Sequence, residues 1–238
     1  MQLVYSFPEL VTGKLLKRYK RFFADIELDN GQVITAHCAN TGPMTGVSEL
    51  GSLVAVSYQP SPKRKLAYSW EMIRIAGTWI GINTAVPNKA VGQMLAEKLI
   101  PELGNYDAVK SEVPFGVENS RADFLLVNSS HQTFVEVKNT TWSLGATAIF
   151  PDTVTTRGQK HLRELMAVVD AGFSAVILYF INRSDCDRFR AGLEVDRDYA
   201  ILLEQAIAKG VQVLPCRFAL DLSGIYYLGQ ADFISALA

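Results

Sequence analysis

The sequence predicts a two-domain α/β protein, with a small all-β barrel over residues 1–83 and an α/β domain over residues 84–238. Three observations lead there. Turn-bounded runs of β-branched and aromatic residues fill the first stretch, and the apolar period changes from two towards 3.6 after Pro87. Two neighbouring apolar runs around residues 121–138 carry charges set within them. At 238 residues, 49% apolar and 20% charged, the chain has the composition of a globular protein with room for a sizeable core.

Leu15 to Leu28 and Gln32 to Ala39 flank the turn Asp29-Asn30-Gly31. Leu53 to Tyr58 and Leu66 to Ile75 are further extended runs, and Ala76-Gly77 turns into Thr78 to Asn83. About five short strands in roughly 80 residues fit a barrel of the OB type. Asn88 to Leu103 reads as a helix, with Val91, Met94, Leu95, Leu99 and Ile100 on one face. A strand at Ala108 to Val113 precedes the two charged strands, and a second helix follows Thr155-Thr156 and stops at Gly172. Ser174 to Asn182 is a nearly continuous apolar strand, the kind covered on both faces in a parallel pairing. Asp198 to Lys209 is a third helix ended by Gly210, and Val211 to Phe218 a last strand. The predicted order is barrel, then α-β-β-β-α-β, then α-β.

The longest continuous apolar run, Ala175 to Ile181, is far short of a membrane span, and no basic region precedes an apolar one at the start. A cytoplasmic protein is expected. Cys38, Cys186 and Cys216 are widely separated, which indicates reduced, partly buried thiols and neither zinc nor a disulfide. The net charge of −1 hides an asymmetry: residues 1–80 carry nine Lys and Arg against six Asp and Glu, the remainder fourteen against eighteen. Clustered cations let a near-neutral chain bind a polyanion.

The charged strands are Arg121 to Val127 and Thr133 to Lys138, joined by the polar turn Asn128-Ser129-Ser130-His131. Side chains alternate along a strand, so Glu136 and Lys138 share a face, with Cα atoms roughly 6.6–7 Å apart. Asp123 can lie opposite them. Ionised side chains on apolar strands are almost never buried unless paired or metal-bound. Two carboxylates beside a lysine suit a hard cation and a phosphate; the alternative is a cross-strand salt bridge.

This acidic pair with its lysine, within an α-β-β-β-α-β order, resembles the PD-(D/E)xK restriction-endonuclease-like core. The run His37 to Gly46, Ser111-Glu112-Val113, Ser120 to Phe124, Val135 to Lys138 and Phe150-Pro151-Asp152 are similar to the sugar fermentation stimulation protein A family. So, at greatest length, is Thr156-Arg157-Gly158-Gln159-Lys160-His161-Leu162-Arg163-Glu164-Leu165. The similarity covers nearly the whole chain; Pro43 and Ala122 depart from the family's usual pattern. It implies an OB-like N-terminal domain, a nuclease-like C-terminal domain and DNA as partner. It also implies Mg²⁺ or Mn²⁺ on Asp123 and Glu136, Lys138 orienting or activating a water, and no organic cofactor. The activity implied is metal-dependent phosphodiester hydrolysis. The alternative is a non-enzymatic, largely non-specific DNA-binding regulator of sugar (maltose-type) metabolism.

Lys17, Arg18, Lys20 and Arg21 interleave with Tyr19, Phe22 and Phe23, and Lys63-Arg64-Lys65 approach Tyr68. On a barrel face, such residues suit a phosphate backbone and unpaired bases, or simply form a solvated edge. Arg157, Lys160, His161 and Arg163 crowd the start of a helix whose dipole favours anions. Thr156 and Gln159 have the spacing of a capping box. Glu112, Glu118 and Asp152 are candidate additional carboxylates, and Gln159 and His161 candidate additional site residues.

Overall fold

The fold begins outside its first domain. In the computed structural model, which describes residues 1–116, 120–129 and 131–237, β1 (Gln2–Ser6) pairs antiparallel with the segment Gly224–Gln230. The first strand therefore belongs to the sheet of the second domain, and the barrel proper starts after it rather than at residue 1. An edge pairing with the far end of the chain leaves no local mark in the sequence.

Five strands then close a barrel: β2 (Leu10–Tyr19), β3 (Phe23–Leu28), β4 (Val33–His37), β5 (Leu53–Tyr58) and β6 (Tyr68–Ile75). They are ordered β4-β3-β2-β5-β6, and a short parallel pairing of Ala36 and His37 with Tyr68 and Ser69 shuts the ring. Alternation buries Leu15, Ala24, Ile26, Ile34, Val54, Val56 and Trp70 inside. The run expected as one strand from Leu15 to Leu28 is a hairpin. Its tip, Lys20-Arg21-Phe22, contains no Gly, Asn or Pro, and Lys20 and Arg21 take positive φ (48° and 65°). β7 (Thr78–Gly81) extends from the second half of β6 and docks on the other domain, where Gly81 N–H donates to the Asn182 carbonyl at 3.0 Å. Buried Glu71 accepts from Ser57 Oγ (2.6 Å) and Asn83 Nδ2 (2.8 Å), tying the linker to the barrel.

The second domain opens with α1 (Val86–Ala96), shorter than the expected helix to Leu103. Lys98 adopts φ +56°, and Leu99 N–H reaches back to the Met94 carbonyl, a Schellman ending; a single 3-10 turn at Pro101–Leu103 follows. Next come β8 (Ala108–Phe115), β9 (Ser120–Val127), β10 (Gln132–Thr140), β11 (Ser143–Leu144), β12 (Thr147–Phe150), α2 (Thr156–Asp170), β13 (Ser174–Ile181), β14 (Arg188–Ala191), α3 (Arg197–Lys209), β15 (Gln212–Leu220), β16 (Gly224–Gln230) and β17 (Asp232–Phe233). Among the described residues, the main sheet runs β1-β16-β15-β13-β10-β9-β8, and a smaller one runs β11-β12-β14-β17. β13 lies at the centre, parallel to both neighbours and buried almost throughout, as its apolar run requires. One face packs on α1, β1 and the barrel residues Ala55 and Met72; the other packs on α2 and α3. The three cysteines are free and buried; burial pushes the Cys186 thiol up to about 11 and the Cys216 thiol up to about 12.

The starts of α2 and α3 are fastened by one buried carboxylate. Asp196 caps α3 through Tyr199 N–H (3.0 Å) and accepts from Thr155 N–H (2.8 Å) and Gln159 Nε2 (2.9 Å). The cap of α2 is thus Thr155, whose hydroxyl accepts from Gly158 N–H, and the expected Thr156–Gln159 capping box does not form because Gln159 turns to Asp196. Replacing Asp196 by Ala removes a cap and strands one buried donor at the start of α3 and two partly buried donors at the start of α2. Urea unfolding of Asp196→Ala is expected to show a loss of about 2–4 kcal/mol; a loss under about 1 kcal/mol would show that the two helix starts do not depend on it.

Candidate metal centre and nucleic-acid interface

The site forms where two strands part. Paired β-ladder positions of β9 and β10 end at Phe124 and Val135, whereas β10 stays paired with β13 as far as Thr140. Past that point the Asp123 carboxylate replaces the missing strand and accepts from Val137 N–H through Oδ2 (2.7 Å). Its Oδ1 accepts from Asn88 Nδ2 at 2.6 Å, in the first turn of α1. Glu136 and Lys138 share the opposite strand's inner face, and Lys138 Nζ donates to Glu136 Oε1 at 2.5 Å.

α2 closes this face. His161 Nδ1 also bonds Glu136 Oε1 and lies 3.3 Å from Lys138 Nζ, while its Nε2 accepts from Arg157 Nε at 3.4 Å. Glu136 is only 3% exposed, and its Oε2 is buried with no hydrogen-bond partner among the described residues. Burial raises the Glu136 pKa, but the charge of Lys138 and the contacts with His161 outweigh it and hold the carboxyl below its ordinary value. Asp123 moves the other way: burial, then the charge of Glu136, raise it against the Val137 N–H, Lys138 and Asn88. An orphaned carboxylate oxygen beside a second carboxylate held above its ordinary pKa fits a divalent cation. Oxygen donors of this kind suit Mg²⁺ or Mn²⁺. Among the described residues, no set of three or more His, Cys, Asp or Glu converges on one point.

A cleft of about 340 Å³ opens over Asp123, lined by Glu112, Ser120, Arg121, Arg157, Lys160 and His161. Glu112 lies across the β8–β9 ladder from Asp123, between the pairs Ser111–Phe124 and Val113–Ala122, and holds φ +54°, an unusual conformation for a non-glycine residue. The structure brings Asp123, Glu136, Lys138, Arg157, Lys160, His161 and Glu112 to one place. It does not bring Asp152 there: Asp152 lines a separate cleft of about 110 Å³ with Asn40, Thr84 and Asn139. Gln159 serves Asp196, and Glu118 lies outside the described residues. Asn88 is the participant that sequence reasoning missed; a polar residue in a helix's first turn carries no distinguishing signal.

The expected cations of the barrel divide. Arg18 Nη2 donates to the Asn40 carbonyl (3.0 Å) and the Gly42 carbonyl (2.8 Å). Arg21 Nε holds the Thr41 carbonyl at 2.9 Å, and Arg64 spans the Gln59 carbonyl (3.2 Å) and Ser69 Oγ (2.5 Å). These arginines build the loops. Tyr19 stacks near Phe23, bonds Asp25, and carries Lys17 5.4 Å over its ring. Lys17, Lys20, Lys63 and Lys65 are exposed.

The family model for the sugar fermentation stimulation protein RE domain matches residues 85–224, and that for the SfsA N-terminal OB domain matches residues 16–82. A sugar fermentation stimulation protein homolog from Cyanothece sp. is 59% identical over 97% of this chain and 98% of its own, and one from Microcystis aeruginosa 58% identical over 97% of each. The solved structure of Pyrococcus furiosus SfsA in complex with Ca²⁺ aligns with a TM-score of 0.90 at 26% identity, covering 98% of this chain and 100% of that one.

The opposed shifts of the two carboxylates predict opposed mutants. Asp123 has a raised folded pKa, so its contribution to stability falls as pH rises from the unfolded value of ~3.9 through the folded one, and its ionised form destabilises the metal-free fold at neutral pH. Glu136 has a lowered folded pKa, so it stabilises above its unfolded value of ~4.3, and that stability is lost as pH falls through the folded value. In EDTA at pH 7, Asp123→Asn is expected to raise the melting temperature by about 2–4 °C, and Glu136→Gln to cost about 3 kcal/mol by leaving Lys138 unpaired. Calorimetry of both variants checks the signs; two losses of equal size would remove the argument for a cation site at Asp123.

Proposed function

The chain belongs to the sugar fermentation stimulation protein family, and we propose that it is a cytoplasmic DNA-binding protein whose second domain is a divalent-cation-dependent phosphodiesterase. The observation that carries this reading is Glu136: buried, fixed through one oxygen by Lys138 and His161, with its other oxygen unpartnered among the described residues. Asp123 and Glu136 Oε2 would hold Mg²⁺ or Mn²⁺. When bound, such a cation neutralises charge on a phosphodiester and lowers the pKa of a water. The Ca²⁺ in the Pyrococcus furiosus relative supports a hard cation with oxygen ligands.

The chain's own groups do the rest. Lys138 Nζ, a point donor at the edge of the site, orients a water or a phosphate oxygen. Asn88 and Val137 N–H fix the Asp123 carboxylate, and His161 fixes that of Glu136, so neither has to reorganise. Arg157 and Lys160 line the mouth of the same cleft at the start of α2, where the helix dipole adds to their attraction for phosphate.

A second reading rests on a specific observation. Both Asp123 oxygens and one Glu136 oxygen are already satisfied by the protein, as in a site retained as a binding platform. In that reading the protein is a non-enzymatic, largely non-specific DNA binder regulating sugar metabolism.

Incubation with single-stranded, duplex and branched DNA in Mg²⁺ or Mn²⁺ separates the two. Cleavage abolished by EDTA and by Asp123→Ala, and lowered roughly 10²–10⁴-fold by Lys138→Ala, is expected. Binding without cleavage on every DNA would favour the regulator. Arg157→Ala with Lys160→Ala should flatten the slope of log K against log salt by about 1.4–1.8, at ~0.7–0.9 per phosphate contact.

A further inference from the structure

The cleft of about 110 Å³ at the junction of the two domains shares no lining residue with the carboxylate cleft. It gathers residues that the chemistry above leaves unused. Asn40 reaches it from the loop after β4, Thr84 from the segment before α1, Asn139 and Thr140 from the end of β10, and Asp152 from the loop before α2. Thr140 is the member that points to an occupant. It is 1% exposed, and its hydroxyl is buried with no hydrogen-bond partner among the described residues. A valine of nearly the same shape would avoid stranding a polar group there.

The other polar groups of the lining alternate in role. Asn40 Oδ1 accepts from Gly42 N–H and Asn139 Oδ1 from Asn182 Nδ2, both at 3.0 Å, which leaves each side-chain amide to donate. Asp152 accepts only, and Thr84, whose hydroxyl donates to the Ala39 carbonyl at 3.2 Å, keeps its lone pairs for accepting. Among the described residues no Lys, Arg or His lines the cleft, so nothing there balances an anion, and the two amide donors disfavour a bare cation. Trp142, Ile149 and Phe150 add an apolar wall.

Donors set among acceptors, beside an apolar wall, match a neutral molecule whose polar groups each donate and accept, carried on a carbon skeleton. Adjacent hydroxyls have that character. We propose that the cleft binds a vicinal diol, the edge of a monosaccharide or of the ribose in a ribonucleoside. Its volume, room for about four waters, admits that edge and leaves the rest of the molecule outside. An occupant would touch both domains, joining the Asn40 loop to the end of β10. The inference does not depend on the DNA-binding reading.

Saturation-transfer NMR on the full-length protein in EDTA, titrated with D-ribose, D-glucose, uridine and 2′-deoxyuridine, tests it. Dissociation constants of about 0.1–10 mM are expected for so small a contact. Saturable binding of ribose or glucose would identify a free sugar as the source of the diol. Binding of uridine alone, roughly tenfold or more tighter than 2′-deoxyuridine, would identify a ribonucleoside. Thr140→Val should keep or raise the melting temperature while weakening binding roughly tenfold or more, and Asp152→Ala should weaken it likewise. Wild-type affinity for every probe in both variants would overturn the site. So would the absence of saturable binding by all four probes, which would leave the cleft to water alone. Equal binding of uridine and 2′-deoxyuridine, with none of ribose or glucose, would overturn the diol.

Discussion

A carboxylate buried in a sheet cannot stay ionised without compensation, and the compensation of Glu136 organises the second domain. Removing such a charge from water costs several kcal/mol, which only close, hydrogen-bonded partners offset. Lys138 supplies one from the same strand face and His161 another from α2, so α2 is keyed to β10 by chemistry as well as by apolar contact. Both partners reach the same oxygen. Among the described residues the arrangement leaves Oε2 buried and unmatched, a state a hydrophobic substitute would avoid altogether, so the pair serves something other than stability.

The rest of the fold holds that geometry steady. β10 is kept straight by β13 while β9 leaves it, which lets Asp123 swing into the gap and take a backbone N–H that would otherwise bond a neighbouring strand. Asp196 joins the starts of α2 and α3, fixing the helix end from which Arg157 and His161 project. Gly81 and Asn182 connect the barrel to the end of β13, and Met72 and Ala55 enter the core under α1, so the two domains meet through both hydrogen bonds and apolar burial.

Much of this was legible because charge on an apolar strand is expensive and therefore conspicuous. Asp123, Glu136 and Lys138 stand out on that ground alone, and β13, α2 and α3 are marked by apolar period and by their terminal glycines. What stayed hidden was long-range or carried by ordinary residues. Arg18 looks like a phosphate contact until the chain folds and two carbonyls some 20 residues away claim its guanidinium. The hairpin tip at Lys20-Arg21-Phe22 lacks every usual turn residue, because its strain is held by that same arginine-gripped loop. α1 ends at a lysine in the left-handed region, where glycine is the recognisable signal. β1 is not among the expected strands, and only its partner near the other terminus shows that it is one and which domain it serves.

The central claim is that Asp123 and the unpartnered oxygen of Glu136 share a divalent cation. Anomalous diffraction from a crystal of the protein soaked in Mn²⁺ tests it directly. The account predicts a manganese peak within about 2.0–2.3 Å of an oxygen of each carboxylate, with Lys138 still on Glu136. A peak bound only elsewhere on the molecule, with this site showing the same side-chain arrangement and no metal, would contradict it.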